Sequence, residues 1–210
     1  MISVTLNPAE LKQVEAAIKA AGSKALFGAS VGLNRTANEV QDGIRASLPG
    51  HFTLRRAEFV KQTIYRKPGE DFASKTKLQA GVRIREDRNF LAKFEAGGIK
   101  APTEGRRFLA IPVGVKRNKN DIVTKANSIK ALLASGKAFL KNGKVWLKTG
   151  RGGKILKLAY VLKPNVKIAP DLKFVETGTK IALARLAPNV IGAIQVELDR
   201  GLTSSNGPQS

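Results

Sequence analysis

The sequence contains no cysteine and one histidine, His51. Without cysteine, the chain can form neither disulfide bonds nor thiolate metal sites, and nothing indicates an oxidising compartment. His51 follows Pro49-Gly50 in a predicted loop, where a single histidine is more often a polar surface residue than a catalytic base. No spacing of His or Asp is typical of metal ligands, so the sequence predicts no metal and no cofactor.

Long apolar runs are also missing. The longest, residues 181–196, is shorter than the roughly 20 residues that span a bilayer, and it contains Arg185 and Pro188. Residues 1–6 lack a charged region followed by an apolar run, so they do not resemble a signal peptide. Hydrophobic residues make up 42% of the chain and aromatic residues only 6%, which predicts a soluble protein with an aliphatic core and no membrane partner.

Acidic side chains are few and unevenly placed. The chain has 37 Lys and Arg residues against 16 Asp and Glu residues, a net charge of +21. Residues 105–170 carry 16 basic side chains and one acid, Asp121, a net charge of +15, against +6 for residues 1–104 and zero for residues 171–210. Such a density of like charge costs stability unless a polyanion or an acidic protein faces it. Residues 105–170 are therefore predicted to meet such a partner; the alternative is a solvated, highly soluble surface.

The N-terminal quarter of the chain predicts two helices. Asn7-Pro8 suit the start of the first, and Gly22 separates it from a second helix over residues 24–48, which Pro49-Gly50 should end. The second helix contains three glycines, which lower its intrinsic stability but would let another backbone come close. They are Gly28, Gly32 and Gly43.

Strands and shorter helices are predicted through the middle of the chain. Apolar residues alternate at 78–84 and 109–115, and residues 155–162 form a further apolar strand. Asn142-Gly143 predicts a tight hairpin turn. Further predictions are a strand start at Ile64-Tyr65, a short helix capped by Thr53, and helices over 90–96, 128–135 and 171–199, the last kinked or broken at Pro188.

These elements predict an α+β fold, in which N-terminal helices and a C-terminal helix pack on a mainly antiparallel sheet with an extended basic loop or hairpin excursion. We expect a single domain over residues 1–200, with 105–170 as an arm or insertion. Residues 201–210 are polar and predict a disordered tail.

The basic residues of 105–170 are the candidate contacts with DNA or an acidic partner. Phosphate contact needs only exposed charges, whereas stacking on bases needs aromatic side chains among them. Of the four aromatic residues nearby, three sit in apolar strand patterns, which favours the core for them. The aromatic residues are Phe108, Phe139, Trp146 and Tyr160. The candidate contacts are Arg106, Arg107, Lys116, Arg117, Lys119, Lys141, Lys144, Lys148, Arg151 and Lys154.

Three segments, in order along most of the chain, resemble a known family. The first is the small-residue-rich second helix with residues 32–37 (GLNRTA), followed by 52–56 (FTLRR) and Phe59-Val60. The second is residues 94–99 (FEAGGI) leading to 109–113 (LAIPV), and the third is the C-terminal helix after the basic excursion. Together they resemble the minor tail protein Z and related tail-completion families of long-tailed bacteriophages.

This resemblance implies a non-enzymatic structural virion protein, made in the host cytoplasm, that completes the head-proximal end of the tail and joins it to the neck. It implies a homo-oligomeric ring, with a hexamer favoured, beside the tail terminator and the neck or connector proteins. The basic segment would then reach an acidic neighbour or contact genomic DNA non-specifically. The candidate assembly surface, which could equally be a packed turn, consists of Phe52, Arg55, Arg56 and Phe59.

Two further hypotheses remain open. The alternative function is sequence-independent nucleic-acid binding, whose mark would be a steep fall of affinity with salt. The third hypothesis is an enzyme that uses a metal and the neighbouring acids Glu70, Asp71, Glu86 and Asp87, although such pairs in loops are more often solvated. The Gly-rich run at 150–154 lacks the spacing and the following Ser or Thr of a nucleotide-binding phosphate loop.

Overall fold

The computed structural model describes residues 3–6, 12–88, 90–103 and 105–205. The structure is 45% helical and 23% strand, which confirms the predicted α+β class with N-terminal and C-terminal helices. The helices are α1 (Lys12–His51), α2 (Ala57–Lys61), α3 (Ala92–Ala96), α4 (Ile129–Ala134) and α5 (Phe174–Ser205). The strands are β1 (Ser3–Leu6), β2 (Ile64–Tyr65), β3 (Ala80–Ile84), β4 (Gly98–Lys100), β5 (Leu109–Pro112), β6 (Ala138–Lys141), β7 (Lys144–Thr149), β8 (Ile155–Lys163) and β9 (Val166–Ile168).

The chain folds as two compact units, where the sequence predicted one domain over 1–200. The first unit consists of Met1–Glu95 and Asp171–Ser210, and the second consists of Ala96–Pro170. The predicted arm at 105–170 lies within the second unit. Helix α5 runs through Ser205, so the start of the predicted disordered tail at 201–210 is helical, and residues 206–210 lie outside the described residues.

Helices α1 and α5 pack against each other in the first unit, and two of the predicted glycines lie at their closest approach. A Cβ atom added to Gly32 would lie 2.4 Å from the Cα atom of Val190, and one added to Gly28 would lie 2.7 Å from the Cα atom of Ile194. The close backbone approach predicted for these glycines is therefore confirmed. Gly43 instead accommodates the side chain of Ile181.

A three-stranded antiparallel sheet completes the first unit, with β3 between β1 and β2. Its buried residues join the apolar faces of α1 and α5 in one core. The largest fully buried side chains of this core include Leu33, Ile44, Ile64, Val82 and Phe174. Strands β2 and β3 were predicted, whereas β1 was not.

The ends and breaks of α1 agree in part with the sequence. Gly22 has φ +65° and interrupts the helix where a break was predicted. Asn7-Pro8 lie outside the described residues. The helix continues through Pro49-Gly50 to His51, so the predicted stop is wrong by one turn. Pro49 removes the N–H that would bind the carbonyl of Arg45. Pro49 and Gly50 are exposed, and the N–H of Phe52 donates to the carbonyl of Leu48 at 2.9 Å beyond them.

The predicted break at Pro188 does not occur, because α5 is continuous from Phe174 to Ser205. Pro188 removes the N–H that would bind the carbonyl of Ala184. Both residues are exposed, so water can satisfy that carbonyl, while the neighbouring Leu186 and Val190 are buried in the core.

One helix of the described chain, the part of α5 over Phe174–Arg200, is long and apolar enough to cross a membrane, with a mean hydropathy of 1.3. This is weak evidence by itself, because core helices of soluble proteins meet the same criterion. Ala182, Leu186, Val190 and Ile194 of this helix belong to the core of the first unit. The expectation of no membrane partner stays a prediction.

The second unit is built on a four-stranded antiparallel sheet of order β5-β8-β7-β6, and β4 pairs with β9. The antiparallel strands of the described chain thus belong to three sheets, where the sequence predicted one. Asn142 at φ +50° and Gly143 at φ +67° form the tight turn between β6 and β7, which confirms the predicted hairpin. Ser128 caps α4 with its hydroxyl. Helix α2 begins after Arg56, with no side-chain cap, so the predicted Thr53 cap is wrong.

Candidate nucleic-acid interface

Nine of the ten predicted basic contacts are exposed on the second unit. Arg106 and Arg107 precede β5, and Lys116 and Lys119 lie in the loop that follows it. The remaining exposed residues lie on or beside the hairpin of β6 and β7 and the turn into β8. They are Lys141, Lys144, Lys148, Arg151 and Lys154.

Arg117 is engaged within the second unit. Its Nη1 donates hydrogen bonds to Oδ1 and Oδ2 of Asp121 at 2.9 and 2.8 Å, and its Nη2 donates to the carbonyl of Pro112 at 3.0 Å. These contacts of Nη1 with the carboxylate and of Nη2 with a backbone carbonyl together fix the guanidinium group. Arg117 therefore holds the loop after β5 in shape, and the one acid of 105–170 is engaged with it.

Three lysines and two aromatic residues share one face of the β6–β7 hairpin. Phe139 lies opposite Trp146 across the two strands, and Lys141 lies opposite Lys144. Cross-strand partners lie on the same face, as do residues two apart along a strand, so Lys148 also belongs to this face. Accordingly, the Nζ atom of Lys148 lies 5.9 Å from the ring centroid of Phe139. We call these five residues the lysine–aromatic face.

The opposite face of the sheet carries the core of the second unit. Ala138 and Val145 are buried there with Leu132 of α4, and Leu147 packs at the margin. The hydroxyl of Tyr160, also in this core, donates to the carbonyl of Asn127 at 2.6 Å, and burial raises the pKa of Tyr160. The core is thus complete without Phe139 and Trp146.

A β-bulge lies between β7 and β8, beside Trp146. Val145 pairs with Tyr160, but the next residue, Trp146, pairs with Leu158, so Ala159 is an extra residue on β8. Ala159 and Tyr160 are both buried. A bulge allows two consecutive residues to serve one face, and here Ala159 and Tyr160 both serve the core. Trp146 lies on the other face because it alternates with the buried Val145 along β7.

The lysine–aromatic face contains a shallow depression of about 300 Å³. Phe139 and Trp146 are half-buried, and the lysines are exposed. The depression is lined by Phe139, Lys141, Asn142, Lys144, Trp146 and Leu156. It is a basic rim around an aromatic floor, open to a flat ligand.

The prediction that aromatic residues of apolar strands belong to the core is confirmed for Tyr160 and wrong for Phe139 and Trp146. Apolar residues on both faces of these strands hid the difference, because period-two alternation cannot assign a face when both sides are apolar. Phe108, outside the apolar strand patterns, is 46% exposed.

The Gly-rich run at 150–154 is the turn between β7 and β8. Gly150, Gly152 and Gly153 all have positive φ values, of 76°, 70° and 70°. The run leads into a strand, whereas a phosphate-binding loop leads into a helix whose N–H groups face the phosphate. Its contribution to a binding surface is therefore the charges of Arg151 and Lys154.

The acids Glu70 and Asp71 form ion pairs in the first unit. Glu70 pairs with Lys67 and Arg83, and Arg83 also pairs with Asp71. The hydrogen bond from Lys67, with further help from Arg83, lowers the pKa of Glu70. A carboxylate held ionised by two cations is a weak proton donor or acceptor near neutral pH.

In the second acidic pair, Glu86 and Asp87, the carboxylate of Asp87 forms an ion pair with Arg85. The guanidinium of Arg85 donates two hydrogen bonds to Asp87 at 2.9 and 3.0 Å and thereby lowers the pKa of Asp87. Within the described residues, no group of three or more His, Cys, Asp or Glu side chains is placed to hold a metal ion.

The candidate assembly surface divides into a packed part and an exposed part. Phe52 packs on the core of the first unit, edge-on to Phe94 with ring centroids 5.1 Å apart. Arg55 and Arg56 are exposed before α2. Phe59 is 42% exposed and stacks on the ring of Phe90 at 6.0 Å.

Comparison of the chain with protein-family models, curated proteins and solved structures found no match.

Proposed function

We propose that this protein is a structural component of an assembly, of the tail-completion type that its sequence resembles, acting where a phage tail joins the neck. In this role the first unit supplies a rigid helical scaffold and the second unit faces an acidic neighbour or the DNA path. A homo-oligomeric ring, a hexamer in our proposal, would place several copies of the second unit around that path.

The observation that carries this proposal is the concentration of positive charge in the second unit. Residues 105–170 have a net charge of +15, and their one acid is engaged with Arg117. Self-repulsion of that size destabilises an isolated module and is relieved by an anionic partner. The assignment to a virion rests on the resemblance in the sequence.

Sequence-independent nucleic-acid binding is the second candidate function. The observation that favours it is the lysine–aromatic face, which combines exposed positive charges with two half-buried aromatic rings on one face of a sheet. Both functions require an anionic partner, and they differ in whether the protein works as an ordered oligomer.

Light scattering combined with negative-stain imaging separates the two functions. The purified chain is measured with and without duplex DNA, at low and moderate salt. Rings of defined mass without DNA support the structural role. A monomer that coats DNA and dissociates as salt rises contradicts the structural role and supports general nucleic-acid binding.

A further inference from the structure

The lysine–aromatic face has the two kinds of group that a single strand of nucleic acid needs. Lys141 and Lys144 lie at the turn end of the hairpin, and Lys148 lies four residues further along β7, about 13 Å from Lys144. Phe139 and Trp146 lie between these cations. We propose that this face binds single-stranded nucleic acid, with bases stacked on Phe139 and Trp146 and phosphates held by the lysines.

This inference deepens the second candidate function and rests on it. It does not depend on the formation of rings. The structural role in an assembly and the binding of single strands can therefore each fail independently.

The aromatic rings distinguish a single strand from a duplex. Phosphates of either form can bind to lysine side chains, and that contact alone needs no aromatic residue. Bases in a duplex are stacked on one another, whereas unpaired bases are free to stack on protein rings, at roughly 1–3 kcal/mol per base. An open aromatic floor with a basic rim is therefore matched to unpaired bases.

The packing of the second unit supports a ligand role for the two rings. Its core cluster is formed by Leu132, Ala138, Val145, Ala159 and Tyr160, on the other face of the sheet. Trp146 alternates with the buried Val145 along β7 and pairs with Phe139, so it lies on the face opposite that core. The apolar surface that Phe139 and Trp146 leave in water would be buried by a stacked base, and this burial is favourable.

Trp146 is the only tryptophan of the chain, so its emission reports directly on the proposed site. The full-length protein is titrated with oligothymidylate and oligouridylate of about 20 nucleotides, and with a duplex of the same length. We expect both single strands to quench Trp146 emission and the duplex to quench it much less. The two single strands separate DNA from RNA as the preferred source of the same chemistry.

Two pairs of matched variants test the roles of ring and charge. Phe139→Leu should weaken binding of labelled oligothymidylate by roughly tenfold. Phe108→Leu removes an exposed ring away from the face and should leave binding unchanged.

Lys141→Gln/Lys144→Gln should lower the slope of log affinity against log salt by about 1.4 for a single strand. Lys125→Gln/Lys130→Gln removes the same charge from two exposed positions, one before α4 and one within it, and should change the slope less. Because all four lysines are exposed, these variants test the proposal even if Phe139→Leu lowers stability.

Three outcomes would overturn the proposal. Binding of oligothymidylate without a change in Trp146 emission would place the contact elsewhere. Equal affinity for duplex and single strand, unaffected by Phe139→Leu, would leave charge as the sole cause. Loss of self-association in Phe139→Leu, with nucleic-acid binding intact, would make the face a contact between copies of the chain.

Discussion

At the scale of single residues, Asn34 and Arg66 connect α1 to the loop of residues 66–79 between β2 and β3. The Oδ1 atom of Asn34 accepts hydrogen bonds from Nη2 of Arg66 at 2.5 Å and from the backbone N–H of Ala73 at 3.0 Å. Its Nδ2 donates to the carbonyl of Ala73 at 2.9 Å. Arg66 is 7% exposed, and its guanidinium lies 3.9 Å from the ring centroid of Phe72. The side-chain amide of Asn34 thus binds three polar groups of this loop: the guanidinium of Arg66 and the N–H and carbonyl of Ala73.

We predict that Asn34→Ala lowers the free energy of unfolding by about 2–4 kcal/mol, because the backbone N–H and carbonyl of Ala73 lose the Asn34 side chain and Arg66 loses one of its hydrogen bonds. Urea denaturation measures the change. Asn38→Ala is the matched control, since exposed Asn38 makes one hydrogen bond to Arg66, at 2.6 Å, and should cost about 1 kcal/mol or less. Equal losses in the two variants would contradict the anchoring role of Asn34.

At the scale of elements, the contact between α1 and α5 depends on small residues. Glycine inside a helix costs roughly 1 kcal/mol relative to alanine. Gly28 and Gly32 are nevertheless required, because the backbone of α5 leaves no room for a Cβ atom at these positions. Close approach of the two backbones increases the area over which the helices exclude water.

We predict that Gly32→Ala lowers the free energy of unfolding by about 1–3 kcal/mol, despite its better helix propensity, because the methyl group overlaps the backbone at Val190. Gly192→Ala in α5 is the control. Apart from its chain neighbours and the backbone of its own helix, nothing lies within 4 Å of the added Cβ there, so this variant should gain up to about 1 kcal/mol. Thermal or urea unfolding of both variants gives the comparison, and a stabilised Gly32→Ala would show that the helices can separate at little cost.

At the scale of the whole molecule, the dominant physical property is the charge of the second unit. Interactions between exposed charges separated by more than the screening length are largely screened, and that length falls from about 30 Å at 0.01 M salt to about 8 Å at 0.15 M. The repulsion among the 16 basic side chains of 105–170 therefore acts across the unit only at low ionic strength.

We predict that raising NaCl from about 0.01 M to about 0.15 M increases the melting temperature by a few degrees, since the added salt screens this repulsion. Differential scanning fluorimetry with a chloride series measures the effect. The double variant Lys116→Gln/Lys119→Gln should show a smaller increase than the parent chain. A melting temperature that falls with salt would instead indicate that attractive ion pairs dominate.

The sequence by itself determined the elements with strong local signals. The break at Gly22, the hairpin at Asn142-Gly143 and the glycines at the α1–α5 contact all follow from local backbone chemistry. The charge of residues 105–170 also follows from composition alone. Strands β1, β4 and β9, of three or four residues, went unpredicted because so short a run gives few positions on which to judge alternation. The equally short β5 lies within a longer alternation at 109–115, and β6 adjoins the turn at Asn142-Gly143.

Only the tertiary structure decided which surface each residue serves. Strand pairing set Phe139 and Trp146 on the open face and Tyr160 in the core, because register and the bulge at Ala159 fix the direction of every side chain. Packing likewise decided that α5 passes through Pro188, since burial on both sides of the proline outweighs one lost hydrogen bond. The folded loop after β5 likewise brings Arg117 into an ion pair with Asp121. These outcomes depend on contacts between residues distant in sequence, which local patterns do not contain.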